Sequence, residues 1–196
     1  MSERAKKSHE TVAGGGRSGF GDILVKKRKP QMRRQKDDGE TPNNPDCPLL
    51  FYRSPVSLDN QHDPAAIFEV LFASHGWKSS WRNGMYDFNH FHTHTHEVLG
   101  IARGKVTALF GGMKGHKVEL KAGDVVVIPS GTGHKRIRQS KDLLIVGAYP
   151  TNGGDYDEPK PDRVDLKEAR RQIKKVRLPL ADPVYGKQGP LRRIWR

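Results

Sequence analysis

Four side chains of the kinds that bind transition metals stand near one another in the sequence. His90, His92 and Glu97 lie in the run 90–97, and His134 follows in the run Gly131-Thr-Gly-His134. Three imidazoles and one carboxylate suit a divalent ion such as Mn, Fe, Ni, Cu or Zn. If the fold brings the four together, the sequence indicates a metal-centred enzyme or binding protein.

The spacing of these residues predicts how strands would place them. Side chains alternate between the two faces of a strand, so His90 and His92 share a face. Glu97 has the opposite parity and would point away in a continuous strand, so we expect a turn or bulge within residues 93–96 to reset the phase. His134 follows a Pro/Gly-containing loop, as expected if a neighbouring strand carries it to the same place.

Glycines and a proline surround the candidate ligands at spacings that resemble the two motifs of the cupin superfamily. The order of the first motif is glycine, His-x-His, glutamate and glycine, matched by Gly84, His90, His92, Glu97 and Gly104. The second motif is matched by Gly123, Pro129, Gly131 and His134. Its last position is Arg138 instead of the family's asparagine, which is not a metal ligand, so this departure concerns only the local loop and substrate contacts.

Further segments resemble the YjlB-like subgroup of small bacterial cupins, namely 38–45, 81–84, 96–102 and 181–186. The resemblance implies an all-β fold, a double-stranded β-helix of the jelly-roll type, with a metal in the barrel mouth. It also implies a homodimer. It does not imply one reaction, because cupins include dioxygenases, isomerases and regulators that only bind a ligand.

Two functions therefore stay open. Four protein ligands on a six-coordinate metal would leave two positions for a small oxygenated molecule, which favours dioxygenase- or isomerase-type chemistry. Alternatively, the same barrel binds or senses a small molecule without turning it over. No residue of the sequence is singled out as catalytic.

Five other residues are candidates for contacts with the ligands or the substrate. His94 and His96 extend the alternation of the first motif, although polar residues of a connecting turn explain them equally well. Arg82 and Tyr86 precede the motif and could line the mouth of the site. Arg138 could bind a substrate carboxylate, but a solvated arginine at a strand end is the plainer interpretation.

The predicted elements agree with this fold class. Short strands separated by glycine turns extend from about residue 81 to 149, a pattern typical of sandwiches and barrels, and Arg103-Gly104 is predicted to be a hairpin turn. One or two short α-helices should flank the barrel. The first begins after Asp63 with Pro64, and the second begins at Asp165 and ends near residue 175. Prolines and glycines beyond residue 175 argue against further regular structure.

The positive charge is concentrated at the two ends of the chain. Of the net charge of +13, residues 1–36 and 160–196 contribute +8 each, which leaves −3 for residues 37–159. We predict a basic disordered tail over 1–36, the cupin domain over 37–159, and a basic extension over 160–196 that packs on the barrel. Nucleic-acid contact by the basic ends is possible but not favoured, because no helix-turn-helix or zinc-finger pattern is present.

The location of the protein is predicted from two absences in the sequence. Cys47 is the only cysteine, so no intrachain disulfide can form, as is usual in a reducing compartment. No apolar run is long enough for a signal peptide or a membrane span. We therefore expect a cytoplasmic protein without membrane contact.

Overall fold

A computed structural model describes residues 9–12, for which only the backbone is considered, 23–59 and 62–196. The strands of this part are β1 His9–Val12, β2 Ile23–Lys26, β3 Gln31–Arg33, β4 Leu49–Tyr52, β5 Trp77–Asn83, β6 Glu97–Arg103, β7 Lys105–Phe110, β8 His116–Lys121, β9 Val125–Ile128, β10 His134–Gln139 and β11 Leu144–Pro150. Its α-helices are α1 Pro64–Ser74, α2 Leu166–Ile173 and α3 Leu191–Ile194.

The strands form two main antiparallel sheets. One has six strands in the order β3-β4-β9-β6-β11-β5, and the other has three in the order β10-β7-β8, while β1 and β2 pair separately. The prediction of an all-β jelly-roll fold with short flanking helices is confirmed. Because β6 and β7 lie in different sheets, the prediction of a hairpin at Arg103-Gly104 is wrong. The turn instead carries the chain from one sheet to the other, and a local turn signal cannot distinguish the two cases.

The six-stranded sheet is covered on both faces, which explains why its central strands are continuously apolar. In β4, Leu49 and Phe51 face the three-stranded sheet and pack with Phe110. Leu50 and Tyr52 face the other way, into a core that includes α1 and the C-terminal residues. The first face encloses the barrel interior, and the second holds the flanking helices against the barrel.

Both predicted helices are present where their caps indicated. The carboxylate of Asp63 accepts hydrogen bonds from the backbone N–H groups of Ala65 and Ala66, and Pro64 is the first residue of α1. Asp165 caps α2 in the same way. The helix α3 was not predicted, because the prolines and glycines around it conceal a single turn that burial of Leu191 stabilises.

The N-terminal segment differs from the expectation of a disordered tail wherever the structure describes it. Ile23 and Val25 lie in the core beside α1, and Val25 is 1% exposed and pairs with Val56. Strand β3 extends the six-stranded sheet by pairing with β4. The ordered domain therefore begins before residue 37. The alternation of two apolar residues was obscured by the surrounding basic charges. Residues 1–8 and 13–22 of the predicted tail lie outside the described part.

The C-terminal segment is held against the domain by buried polar contacts. The indole nitrogen of Trp195 donates to the carbonyl oxygen of Pro48 at 2.8 Å, and the Tyr52 hydroxyl donates to Asp182 Oδ2 at 2.5 Å. Asp182 is fully buried and also accepts from three backbone N–H groups, those of Val184, Tyr185 and Leu191.

None of the helices in the described residues is both long and apolar enough to cross a membrane.

Candidate metal centre

The four candidate ligands meet at one point in the barrel interior. The potential ligand atoms of His90, His92 and His134 all lie within 4.8 Å of one another. Glu97 Oε2 lies 3.4 Å from His92 Nε2 and 3.3 Å from His134 Nε2. All four residues are buried, with exposures of 2–5%. The fold therefore brings together the four ligand-type residues whose spacing predicted a metal site.

Two strands and one irregular segment bring these residues together. His134 is the first residue of β10, and its backbone exchanges hydrogen bonds with that of His90 at 2.9 and 3.3 Å. The chain bends at Thr93 and His94, and Glu97 then begins β6 with its side chain beside the histidines. The predicted interruption of the alternation between His92 and Glu97 is confirmed.

A backbone carbonyl oxygen binds the outward-facing nitrogen of each imidazole. His90 Nδ1 lies 3.4 Å from the oxygen of Phe88, and His134 Nδ1 lies 3.0 Å from that of Thr132. His92 Nδ1 forms a short hydrogen bond with the carbonyl oxygen of Asp157. A carbonyl oxygen only accepts, so each Nδ1 donates its proton. In the neutral rings the lone pair is therefore on Nε2, the nitrogen that faces the centre.

Two polar atoms at the centre have no hydrogen-bond partner among the described residues. These are His92 Nε2 and Glu97 Oε2, which lie 3.4 Å apart but are both acceptors when the ring is neutral, so they cannot satisfy each other. An unpartnered buried polar atom costs free energy of about 1–3 kcal/mol, and a bound cation would supply the missing partner. The other oxygen of Glu97 accepts a hydrogen bond from the Tyr149 hydroxyl at 3.1 Å, and that hydroxyl accepts one from Trp81 Nε1 at 2.9 Å.

The ionisation of the group follows from its burial and its internal charges. Burial, together with His134 and His92, lowers the pKa of His90 to about 2, so this ring is neutral. Burial alone would raise the pKa of Glu97, but His92 and His134 outweigh it and hold the pKa below its usual value. Burial opposes protonation of His92, yet the Glu97 carboxylate raises the net pKa of that ring. The centre thus offers an ionised carboxylate to a cation.

The centre opens into a cavity of about 1090 Å³. Its lining combines aromatic rings with basic groups, among them Trp81, Tyr86, Tyr149, Tyr156, Lys78 and Arg136. The segment 151–156 forms one wall of the cavity. A space of this size and character can hold a small polar molecule next to the four ligands.

Of the five further candidate residues, two line the cavity and three do not. Tyr86 and Arg82 line the cavity, although Arg82 already pairs with Asp63 and Glu69 at 2.9 and 2.7 Å. Neither His94, His96 nor Arg138 is part of the cavity lining.

The three residues outside the cavity have other contacts. The His94 side chain is 46% exposed and lies 3.2 Å from Asp157. His96 is buried outside the cavity. Its Nδ1 accepts a hydrogen bond from the N–H of Ser130, and its ring packs on Trp195. Arg138 donates to the hydroxyl of Thr107 and is 77% exposed.

Several cavity residues were not predicted from the sequence. Tyr149 and Tyr156 come after the second motif, and Asp157 holds the loop of the first motif from outside the cavity. The Asp157 carboxylate accepts from the N–H and the hydroxyl of Thr93 and from the N–H of His94. No local pattern marks these residues, because their partners lie 52–65 positions away in the sequence. In the sequence, the only sign of these cavity residues was the presence of two tyrosines, Tyr149 and Tyr156, near the end of the predicted barrel.

Comparison with known proteins gives one clear relative. The uncharacterised protein YjlB of Bacillus subtilis (strain 168) is 40% identical over 159 residues, which cover 81% of this chain and 92% of that protein. No protein-family model matches the chain.

Solved structures give weaker likenesses. Acireductone dioxygenase from Bacillus anthracis, with a cadmium ion in its active centre, is 19% identical with a TM-score of 0.37, over 56% of this chain and 82% of that one. RmlC from Streptococcus suis, in complex with dTDP-D-xylose, is 14% identical with a TM-score of 0.34, over 67% and 74%. The 11S globulin from Wrightia tinctoria is 12% identical with a TM-score of 0.35, and only 29% of its length is spanned.

Proposed function

This chain belongs to the cupin superfamily and, within it, to the family of YjlB, and we propose that it is a metal-dependent cupin acting on a small oxygenated molecule. His90, His92, Glu97 and His134 are the proposed ligands of one divalent transition metal. The metal is Fe, Mn, Ni, Zn or Cu, because imidazole nitrogen and carboxylate oxygen are acceptable ligands to each of them.

The observation that carries the proposal is the orientation of the three imidazoles. Each Nδ1 is bound by a backbone carbonyl, so each Nε2 is directed into the centre as a donor of electrons. Histidines that only fill a core need no such common orientation. The unpartnered Nε2 of His92 and Oε2 of Glu97 lie at the same point, as expected of atoms that bind a cation.

The chemistry of such a centre follows from the ligands and the cavity. A bound divalent ion would supply Lewis acidity or, if it is redox-active, electrons. The chain's own residues orient the ligands, since Tyr149 holds the second oxygen of Glu97 and the carbonyls hold the imidazoles. Burial of the four ligands excludes bulk water from the centre, which strengthens electrostatic interactions there.

The cavity indicates the kind of molecule that would bind. Lys78 contributes positive charge that is unpaired among the described residues, Arg136 contributes a charge that is shared with the exposed Asp87 at 3.3 Å, and three tyrosines contribute hydroxyl groups and rings. Arg82 adds little free charge because two carboxylates neutralise it. We therefore infer a small anionic or enolic substrate with oxygen atoms that face the metal, consistent with dioxygenase- or isomerase-type chemistry.

Elemental analysis of the purified protein tests the metal centre. We expect about one equivalent of a transition metal per chain in the wild type, and loss of most of it in His92→Ala. His116→Ala is the matched control, because His116 is an exposed histidine of β8 and should leave the metal content unchanged. An unchanged content in His92→Ala would refute the assignment of the ligands.

Turnover is tested separately from metal binding. The metal-loaded protein is incubated with small diketones, catechols and thiols while oxygen uptake is recorded, and with sugar derivatives while isomer ratios are measured. Turnover that disappears in His92→Ala supports the enzyme. Saturable ligand binding without turnover would favour the alternative, a cupin that binds or senses a small molecule.

Two further properties stay predictions. The resemblance to cupins implies a homodimer, which light scattering on the eluting protein would reveal as twice the mass of the chain. The cytoplasmic location is the second prediction, and cell fractionation tests it.

A further inference from the structure

Two basic stretches, 23–36 and 174–196, meet in the part of the protein that the structure describes. Residues 23–36 contain seven lysines and arginines without any acidic residue, and residues 174–196 contain seven more with Asp182 alone. Asp182 is fully buried and bonded to the protein, so it offers no charge to a surface partner. These two stretches, called the basic seam below, account for a formal charge as large as the net charge of the whole chain.

Two hydrogen bonds and a shared apolar cluster show that the stretches lie side by side. The Tyr185 hydroxyl donates to the carbonyl oxygen of Lys26 at 2.8 Å and accepts from the N–H of Arg28 at 2.9 Å. Ile23 and Leu191 belong to one buried apolar cluster. Just outside the two stretches, Arg170 of α2 pairs with Asp37 at 2.6 Å. Segments 157–159 positions apart in sequence are thereby brought to one region of the surface.

The basic side chains of the seam are not neutralised within the described structure. None of the fourteen takes part in an ion pair there, whereas arginines elsewhere, such as Arg53 and Arg82, pair with carboxylates. All of them are exposed except Lys26, which is half-buried. Unpaired like charges that lie close together repel one another, and this repulsion lowers the stability of the fold. A bound anion would relieve the repulsion.

We propose that the basic seam binds the phosphate backbone of duplex nucleic acid without reading its sequence. Half of the fourteen cations are arginines, whose planar guanidinium groups suit phosphate. The seam exposes no aromatic ring, because Trp195 is 1% exposed and Tyr185 is half-buried. It therefore lacks the stacking surfaces that bind single strands and the ring anchors of membrane interfaces.

The seam and the proposed metal centre are separate. Strand β3 of the seam is one edge of the six-stranded sheet, and β5, which lines the cavity, is the opposite edge with four strands between them. Nucleic-acid binding should therefore leave metal content unchanged, and failure of either proposal would not bear on the other.

The test compares two variants of the full chain with equal net charge. The seam variant combines Lys27→Gln, Lys29→Gln, Lys187→Gln and Arg193→Gln, exposed side chains that make no hydrogen bond or ion pair in the structure. The control variant combines Lys105→Gln, Lys117→Gln, Lys121→Gln and Lys141→Gln, which are exposed on or near the three-stranded sheet. Thermal melts confirm that both variants fold.

Binding to a labelled duplex is measured by anisotropy across a salt series. With a duplex of about 30 base pairs, we expect the seam variant to bind at least ~10-fold weaker at ~0.1 M salt, with a logarithmic salt slope shallower by about 3. The control variant should stay within about twofold of the wild type.

Four results would overturn the proposal. These are no duplex binding by the wild type, an equal loss in both variants, tighter binding of the corresponding single strand, and tighter seam-dependent binding of phosphatidylserine vesicles than of duplex. The vesicle measurement matters because the aliphatic side chains of Met32 and Leu180 are exposed on the same stretches.

Discussion

Tyr149 and Glu97, 52 positions apart in sequence, are joined by a hydrogen bond from the tyrosine hydroxyl to the carboxylate at 3.1 Å. The bond occupies Oε1 of Glu97, whereas Oε2 faces His92 and His134. The tyrosine therefore determines which carboxylate oxygen is free for a cation. Its own orientation is held by Trp81, whose indole N–H donates to the same hydroxyl.

Removal of this hydroxyl should weaken metal binding. In Tyr149→Phe, Glu97 loses the donor that orients it, and comparable losses of a ligand's hydrogen-bond partner lower metal affinity about 10- to 100-fold. Competition with a chromogenic chelator measures the affinity. Tyr185→Phe is the control, because its hydroxyl contacts Lys26 and Arg28 instead. Equal affinity in wild type and Tyr149→Phe would contradict the role given to the tyrosine.

Asp157 should hold the loop between the first two histidines and Glu97. In Asp157→Ala, the N–H and hydroxyl of Thr93 and the N–H of His94 lose their acceptor, and the carbonyl that orients His92 becomes mobile. We expect metal affinity to fall about 10-fold or more, as for other partners of metal ligands. Asp162→Ala removes an exposed carboxylate outside the cavity and should have little effect. A similar loss in both variants would indicate a general effect of charge.

Stability of the metal-free protein should fall with acidity because of His96. Burial lowers the pKa of His96 to about 3, compared with 6.5 for the unfolded chain. Between these values the unfolded state binds a proton that the folded state does not, so the free energy of unfolding falls as the pH drops below 6.5. At pH 5 this contribution should be about 2 kcal/mol relative to pH 8.

The variant His96→Asn isolates that contribution. Asparagine cannot be protonated in this range, and its side-chain oxygen can accept the hydrogen bond from the N–H of Ser130. Urea unfolding at pH 8 and pH 5, without metal, should show that the loss of stability shrinks by about 2 kcal/mol in the variant. His116→Asn, at an exposed position, should retain the wild-type dependence. An unchanged dependence in His96→Asn would show that His96 is not buried as a neutral ring.

The C-terminal anchor should contribute to global stability. Trp195 is 1% exposed, packs on His96 and donates to the carbonyl oxygen of Pro48. Trp195→Ala leaves a cavity and an unpaired carbonyl, for which we expect about 3–5 kcal/mol of destabilisation. Arg196→Ala, a change at the exposed neighbouring residue, should stay within about 0.5 kcal/mol of the wild type. Chemical denaturation measures both, and equal stability of the two variants would show that the C-terminal segment does not anchor the barrel.

Much of the centre could be predicted from the sequence because its signals are local. The alternation of His90 and His92, and the need for a turn before Glu97, depend only on how an extended chain places its side chains. The caps at Asp63 and Asp165 depend on the first turn of each helix. Each signal involves residues a few positions apart, so no knowledge of the fold was necessary.

The sequence by itself determined the ligand types, their spacing and the class of fold. The tertiary structure alone decided the rest, because the remaining contacts join distant parts of the chain. Tyr149 meets Glu97, and Asp157 meets His92, only when β11 and the segment after it return beside the first motif. The basic stretches 23–36 and 174–196 meet only when their apolar residues pack in the same cluster as Leu50 and Tyr52 of β4. Contacts of this kind depend on the packing of whole sheets, which no local periodicity encodes.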